Sequence, residues 1–273
     1  MRPRSHSALL HAVLIVTSLA LVFPIVWVFL TSFKTSADII RTTPTLLPER
    51  WTLENYASLT QTAPFVRFFI NSIIVSGVST IFVIITCSAA GFVFAKYRFW
   101  GRNFYLLLII STILIPIQTY MIPLYMLTRW LGWIDTYAGL IFPLIIMSSG
   151  IFFLRQNILG IPDELLDAAR IDGASEFGVY LRIILPLSAS ALAAISIVNW
   201  VYTWSVFIWP LVVANTENMF TMELGLMYFQ RQYITLYGGI MAACVITLLP
   251  VLIVFLAFRT QIIEGVAFTG MKT

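Results

Sequence analysis

Charge is what this sequence has least of: Asp, Glu, Lys and Arg together make up 10% of the 273 residues, while 60% are hydrophobic and the mean hydropathy is +0.93. Ordinary soluble domains carry about 25% charged and about 45–50% apolar residues. A globule of this length must still present a wetted surface, so an apolar excess of this size excludes a soluble protein and places the chain in a bilayer. The same figures exclude a disordered chain and a nucleic-acid binder. A net charge of +4 on 30.8 kDa is too small to call for an anionic partner. Cysteine is nearly absent: Cys87 and Cys244 each sit inside a long apolar run, which excludes a disulfide-stapled domain and reads as two small buried hydrophobes. His6 and His11 have no Cys or carboxylate near them, so no metal site is expected. Lysine occurs only at 34, 96 and 272, preceded by Phe33, Ala95 and Met271, and no Gly-Lys-Ser/Thr phosphate loop can be assembled. With no zinc pair, nucleophile elbow or Ser/His/Asp cluster either, the chain is expected to be no enzyme. Energy for any uphill movement has to come from another subunit. No internal repeat is visible.

What is present is a set of long apolar runs. A helix needs about 20 apolar residues to cross roughly 30 Å of hydrocarbon. Six segments meet or approach that length: Leu10 to Leu30, Phe69 to Ala95, Phe104 to Leu127, Tyr137 to Leu154, Leu187 to Ala214 and Gly238 to Phe258. The first is too long for the apolar core of a signal peptide and lacks a small-x-small cleavage site, so it reads as an anchor. An N-terminus in the cytoplasm puts 10 of the Lys and Arg residues inside, with Lys96, Arg98 and Arg102 crowding one short loop, and 6 outside. That is the orientation favoured by the positive-inside rule. Both termini and the segment 155–186 are then cytoplasmic. The expected fold is all-α: a single polytopic membrane domain over 1–273, with six transmembrane helices and the lipid bilayer as its solvent. No acidic or basic residue sits near the middle of any span, which argues against an ion-driven carrier.

The inside segment from Arg155 to Leu187 is unlike a passive connector. Pro162 suits the first helical position, and Asp163 and Glu164 suit the positive end of a helix dipole. A short helix should run to about Asp172. Gly173 is a natural stop, since glycine enters the left-handed conformation without steric cost, and Ser175 can cap a second helix ending at Pro186. The result is a helix, a tight corner and a helix beneath the bundle. Ala168, Ala169, Gly173 and Ala174 lack bulk and would let another protein approach closely. The alternative is an amphipathic hairpin on the membrane, which its acidic residues disfavour on an anionic leaflet.

The spacing Asp167-Ala168-Ala169, then Gly173, then Ile183, Leu185 and Pro186 resembles the EAA loop of the ABC importer permeases, with Asp in place of the first Glu. The fuller string DAARIDGAS is similar to carbohydrate importers of the maltose and glycerol-3-phosphate type. Leu47-Pro48, Asn55-Tyr56, Asn71-Ser72 and the ending from Gly265 to Lys272 resemble the same group, so the likeness covers nearly the whole chain. The resemblance implies a permease subunit that binds no cofactor itself. The implied partners are a homologous second permease, a dimeric cytoplasmic ATPase carrying ATP and Mg, and an extracytoplasmic solute-binding protein. It further implies that the ATPase-coupling surface is Asp167, Ala168, Ala169, Asp172, Gly173, Ala174, Ile183, Leu185 and Pro186, with Asp167 as the electrostatic contact. In the fifth span the group often has Trp-Asn-Glu where this chain has Trp204-Ser205-Val206, so polar contacts cannot be carried over there.

Sugars are held by aromatic faces and hydroxyl hydrogen bonds, which makes Asn71, Gln118, Tyr120, Asn199, Tyr202 and Trp204 candidates for a solute pathway. The competing reading is that Trp and Tyr form interfacial belts and that intramembrane amides bond a neighbouring helix. Prolines 24, 116, 123, 143, 210 and 250 are hinges on one reading and tolerated kinks on the other. The outside loop from Asn215 to Tyr237 mixes Met222, Phe229, Arg231 and Tyr233, residues suited to contact with a binding protein. Three functions stand in order: a carbohydrate-importer permease, an ABC permease for a glycerophosphate or other solute, and a secondary carrier or structural membrane subunit.

Overall fold

The computed structural model describes residues 4–231 and 237–270, with backbone alone at 4–9, 62, 228–231 and 259–270. Among the described residues every regular element is helical. In chain order these are α1 (Arg4–Thr31), α2 (Ser36–Ile39), α3 (Glu54–Thr62), α4 (Phe65–Lys96), α5 (Arg102–Ser111), α6 (Ile117–Trp130) and α7 (Tyr137–Ile141). There follow α8 (Ser148–Leu159), α9 (Asp163–Ile171), α10 (Glu176–Leu187), α11 (Ala189–Trp204), α12 (Ile208–Val213), α13 (Met222–Arg231) and α14 (Tyr237–Gly270). Among the described residues three stretches are long and apolar enough to cross a bilayer unaided: Leu10–Thr31, Phe65–Lys96 and Tyr237–Phe258.

The other three expected spans are not continuous helices. The third bends by 102° between Leu114 and Ile117. Pro116 supplies no N–H and pushes the residue before it out of the helical region, and Ile115 lies at φ −95, ψ 108. The fourth bends by 47°, where Met147 is extended at φ −124, ψ 98. The fifth, expected over 187–214, is displaced. Its helix begins in α10, turns by 77° at Ser188 into α11 and stops at Trp204, leaving Ser205 to Phe207 outside any helix before α12. Within α10 the turn Tyr180–Ile184 is π-helical, and Leu185 donates its N–H to the Tyr180 carbonyl. Pro186 has no N–H to give the preceding turn, and a widened turn is one way a helix absorbs that loss.

The chain divides into two compact units, Met1–Val66 with Gly225–Pro250 and Arg67–Leu224 with Val251–Thr273. The first is tied by polar contacts. Buried Asn55 donates to the carbonyls of Ser32 and Lys34, both at 2.8 Å, and Ser32 Oγ lies 2.7 Å from Tyr56 Oη. Lys34 is buried, with its ammonium 5.0 Å from the Trp27 ring and bonded to the Thr45 carbonyl. A Cβ on Gly238 would lie 2.2 Å from Asn55 Oδ1, so the start of α14 needs glycine there. None of the apolar window of α1 is buried, so hydrocarbon or another protein has to cover it.

Among the described residues the second unit holds two apolar clusters. Val83, Leu154, Ile158, Leu166, Val179 and Ile184 join α4, α8, α9 and α10, all buried to within 1%. Val75, Leu140, Trp209 and Val213 join α4, α7 and α12, and Trp209 Nε1 donates to the Gly139 carbonyl at 2.9 Å. Lipid tails are as apolar as these side chains, so within the bilayer their tight fit, more than transfer from water, holds the clusters together.

Candidate functional site

The corner between α9 and α10 is built by local signals. Pro162 sits one residue ahead of the expected position, as the N-cap at φ −59, ψ 136, and α9 starts at Asp163. Asp172 closes α9. Gly173 follows at φ +83, where a Cβ would meet nothing within 4 Å: the glycine is there for its backbone and not for lack of space. The Ala174 N–H returns to the Ala169 carbonyl at 2.9 Å, and Ser175 Oγ accepts from Gly178 N at 3.2 Å to cap α10. Leu166 and Val179 are the buried feet of the two arms.

This folding brings Ala169, Asp172, Gly173, Ala174 and Ile183 of the expected coupling surface around one hollow, while Asp167 and Ala168 lie on α9 outside its lining and Leu185 and Pro186 near the far end of α10. Asp167, Ala168, Asp172, Gly173 and Pro186 are exposed, while Ala169, Ala174, Ile183 and Leu185 are half-buried. Ala169, Asp172, Gly173, Ala174, Arg182 and Ile183 line a hollow of about 330 Å³. Its floor is small and apolar, and one acid and one base stand at its rim. Such a hollow suits an apolar side chain from another protein.

A set of ion pairs braces the corner. Arg170 donates from NH1 to Asp167 Oδ1 at 2.8 Å, and from Nε and NH2 to the two oxygens of Glu176 at 2.8 and 3.2 Å. Glu176 also accepts from Tyr97 Oη, just beyond α4. Hydrogen bonds from Arg170 and then Tyr97 hold the Glu176 carboxyl below its ordinary range. Lys96, at the end of α4, donates to Asp163 Oδ1 at 2.6 Å and to the Ile161 carbonyl at 2.5 Å. The Lys96 hydrogen bond holds the Asp163 carboxyl low as well. Sequence reasoning gave Lys96 only a place in the positive inside loop and assigned no role to Tyr97, Arg170, Glu176 or Arg182. The acids three residues before and six after Arg170 were the available signal.

The pathway candidates separate into two groups. Asn71 is fully buried, and both its polar atoms are engaged by protein: Nδ2 donates to the Asn218 and Phe220 carbonyls at 2.9 and 2.8 Å, and Oδ1 accepts from Tyr137 Oη at 2.6 Å. Asn199 is buried and donates to Thr80 Oγ1 at 3.1 Å. Trp204 is buried and stacked on Trp200 at 5.1 Å. Gln118, Tyr120 and Tyr202 are exposed. Of the outside-loop residues, Met222 does not present its side chain to a partner, because it is fully buried beneath a loop fastened by its own N–H to Ser72 Oγ at 2.8 Å. Phe229 and Arg231 fall in the last turns of α13, where only backbone is described, and Tyr233 lies outside the described residues.

The start of that loop is held by Asp135. This residue has φ +59, a left-handed conformation that Asp tolerates better than most. Its carboxylate accepts from Asn215 N and Thr216 N, each at 2.9 Å, and from Thr216 Oγ1 at 2.7 Å. Burial works against its charge, but these hydrogen bonds outweigh burial and keep the carboxyl low.

Residues 87–267 match the family described as the binding-protein-dependent transport system inner membrane component. The chain belongs to that family. Its match covers both arms of the corner and all three bent spans. Among the family's curated members, the arabinooligosaccharides transport system permease protein AraQ of Halalkalibacterium halodurans is 37% identical over 92% of this chain and 91% of its own length. The sn-glycerol-3-phosphate transport system permease protein UgpE of Brucella abortus is 32% identical over 95% of each. Among solved structures, a chain of a bacterial ABC transporter involved in the import of the acidic polysaccharide alginate superposes with a TM-score of 0.83, at 21% identity, over 95% of this chain and 98% of that one. At that identity the likeness is one of fold. Membership makes the chain a transport subunit of the inner membrane.

Proposed function

We propose that the chain is one of two permease subunits of an ATP-binding-cassette importer and that the solute is a carbohydrate. The observation that carries the coupling half of this reading is the corner: an exposed helix pair turning on a left-handed Gly173, with an open apolar hollow at its apex. The carbohydrate half is supported by the relatives, whose names include arabinooligosaccharides. The glycerol-3-phosphate relative supports a second reading, in which the solute is a glycerophosphate. In either case the corner lies in the cytoplasm against a dimeric ATPase that carries the ATP and Mg. A homologous permease covers part of the exposed apolar surface, and a solute-binding protein docks outside.

ATP-driven closure of the ATPase pair then moves the packed helices between inward-open and outward-open arrangements as rigid bodies. Of the pathway candidates, Gln118, Tyr120 and Tyr202 keep accessible polar groups and line the route, while Asn71, Asn199 and Trp204 support the helices that carry them. The test is gentle purification of the tagged chain with mass spectrometry of its companions. The captured binding protein is then titrated with oligosaccharides and with glycerol phosphates. Recovery of an ATPase, a second permease and a sugar-loaded binding protein is expected. Recovery of the chain alone, folded, would contradict the importer reading, and selective binding of glycerol phosphates would decide for the second one. Gly173→Asp is expected to leave the chain inserted but to separate ATP hydrolysis from uptake.

A further inference from the structure

We infer that Arg170 is the positioning residue that fastens the two arms of the corner to each other, so that the corner and the end of α4 move as one braced unit; the coupling consequence rests on the reading above. Asp167 ends one methylene short of a glutamate. Its oxygen lies 2.8 Å from Arg170 NH1, one turn along the same helix, so its charge is answered within α9. The same guanidinium spans the corner to both oxygens of Glu176 in α10. Glu176 in turn holds Tyr97, at the end of α4, and Lys96 beside it holds Asp163 and the Ile161 carbonyl at the start of α9. Each arm of the corner is therefore fastened separately to the same end of α4, and Arg170 fastens the arms to each other.

A corner turning on a glycine would otherwise flex when pushed. Braced in this way, a push at the apex is transmitted to α4, which carries Thr80 midway along it and Asn71 near its other end. The charged groups left for a partner at the hollow are Asp172 and Arg182, which take part in no ion pair among the described residues. Arginine is required because one planar group must serve three carboxylate oxygens in two directions, a geometry that a lysine ammonium does not reproduce.

Two measurements test this. In the purified chain in lipid nanodiscs, hydrogen exchange of the amides in 163–179 should accelerate about 10-fold in Arg170→Gln and less than about threefold in Asp167→Asn, as expected for local opening of an exposed network. In the reconstituted transporter, Arg170→Gln should retain the ATPase but move about 10-fold less solute per ATP, with Arg170→Lys recovering less than half. Unchanged exchange in Arg170→Gln would overturn the lock. Unchanged solute per ATP would overturn its role in coupling. Faster exchange together with the absence of any ATPase from the wild-type preparation would overturn the importer reading and the coupling role with it, while supporting the lock itself.

Discussion

The second compact unit is fastened in two places by opposite means. Around Asn71 the bonds are neutral, buried and directed at backbone carbonyls, and every polar atom of the side chain is engaged. At the corner the bonds are ionic and exposed: Arg170, Asp167 and Glu176 keep 37%, 64% and 50% of their side-chain surface in solvent. A buried, satisfied amide costs the full desolvation of its partners if it is removed, whereas an exposed ion pair is worth little on its own and can be remade. The difference separates a part whose bonds hold one arrangement from a part whose bonds can be remade.

The comparison is broken most severely by Asn71→Leu, which takes the acceptor from the Tyr137 hydroxyl and the side-chain donor from the Phe220 carbonyl, while the Asn218 carbonyl keeps only Arg67 Nε at 3.1 Å. It should cost about 3 kcal/mol, read as a lowered thermal midpoint of the detergent-solubilised chain and early proteolysis within 215–221. Gly173→Ala should cost about 1 kcal/mol, because alanine at φ +83 pays for the left-handed backbone while its Cβ meets open space. A larger loss would mean that the corner is packed more tightly than the structure has it. Asp135→Asn keeps a residue tolerant of φ +59 but weakens the bonds to Asn215 and Thr216, and should cost about 1 kcal/mol.

The smallest effects distinguish the two regions by solvent. Raising salt to 1 M shortens the screening length to about 3 Å and should speed amide exchange at 163–179, with no change near Asn71. Acid works through the carboxyls whose folded values are depressed, Asp163, Glu176 and Asp135. Their contribution is complete above the unfolded carboxylate range and lost as pH falls through the lower folded values. Both the corner and the Asp135 latch should therefore loosen below about pH 4, while the Asn71 bonds persist. Exchange measured across pH at low and high salt checks both statements.

The corner was legible because its signals are local. Asp163 at a helix start, Gly173 at a stop and Ser175 as a cap lie within a few residues of what they control, and the structure has all three in those roles. The apolar runs were legible for the same reason. Their breaks were not. Pro116 and Pro123 both lie in the third run, yet only Pro116 coincides with the 102° bend, while Pro123 sits inside α6. Whether a proline breaks a helix or is tolerated depends on how its neighbours satisfy the freed carbonyl. Asn71 looked available to a solute because its partners Tyr137 and Asn218 are far along the chain. Arg170 was passed over because one residue type at one spacing does not show that two arms and a third helix meet at it.

The claim at the centre of this account is that force enters at the corner. It is tested most directly by placing a cysteine-reactive crosslinker at Ala168→Cys, on the exposed face of α9, in native membranes and identifying what is captured. The account predicts an ATPase subunit, captured less efficiently when Gly173→Asp is added. Capture of the extracytoplasmic binding protein, or of no ATPase although one copurifies with the chain, would contradict it.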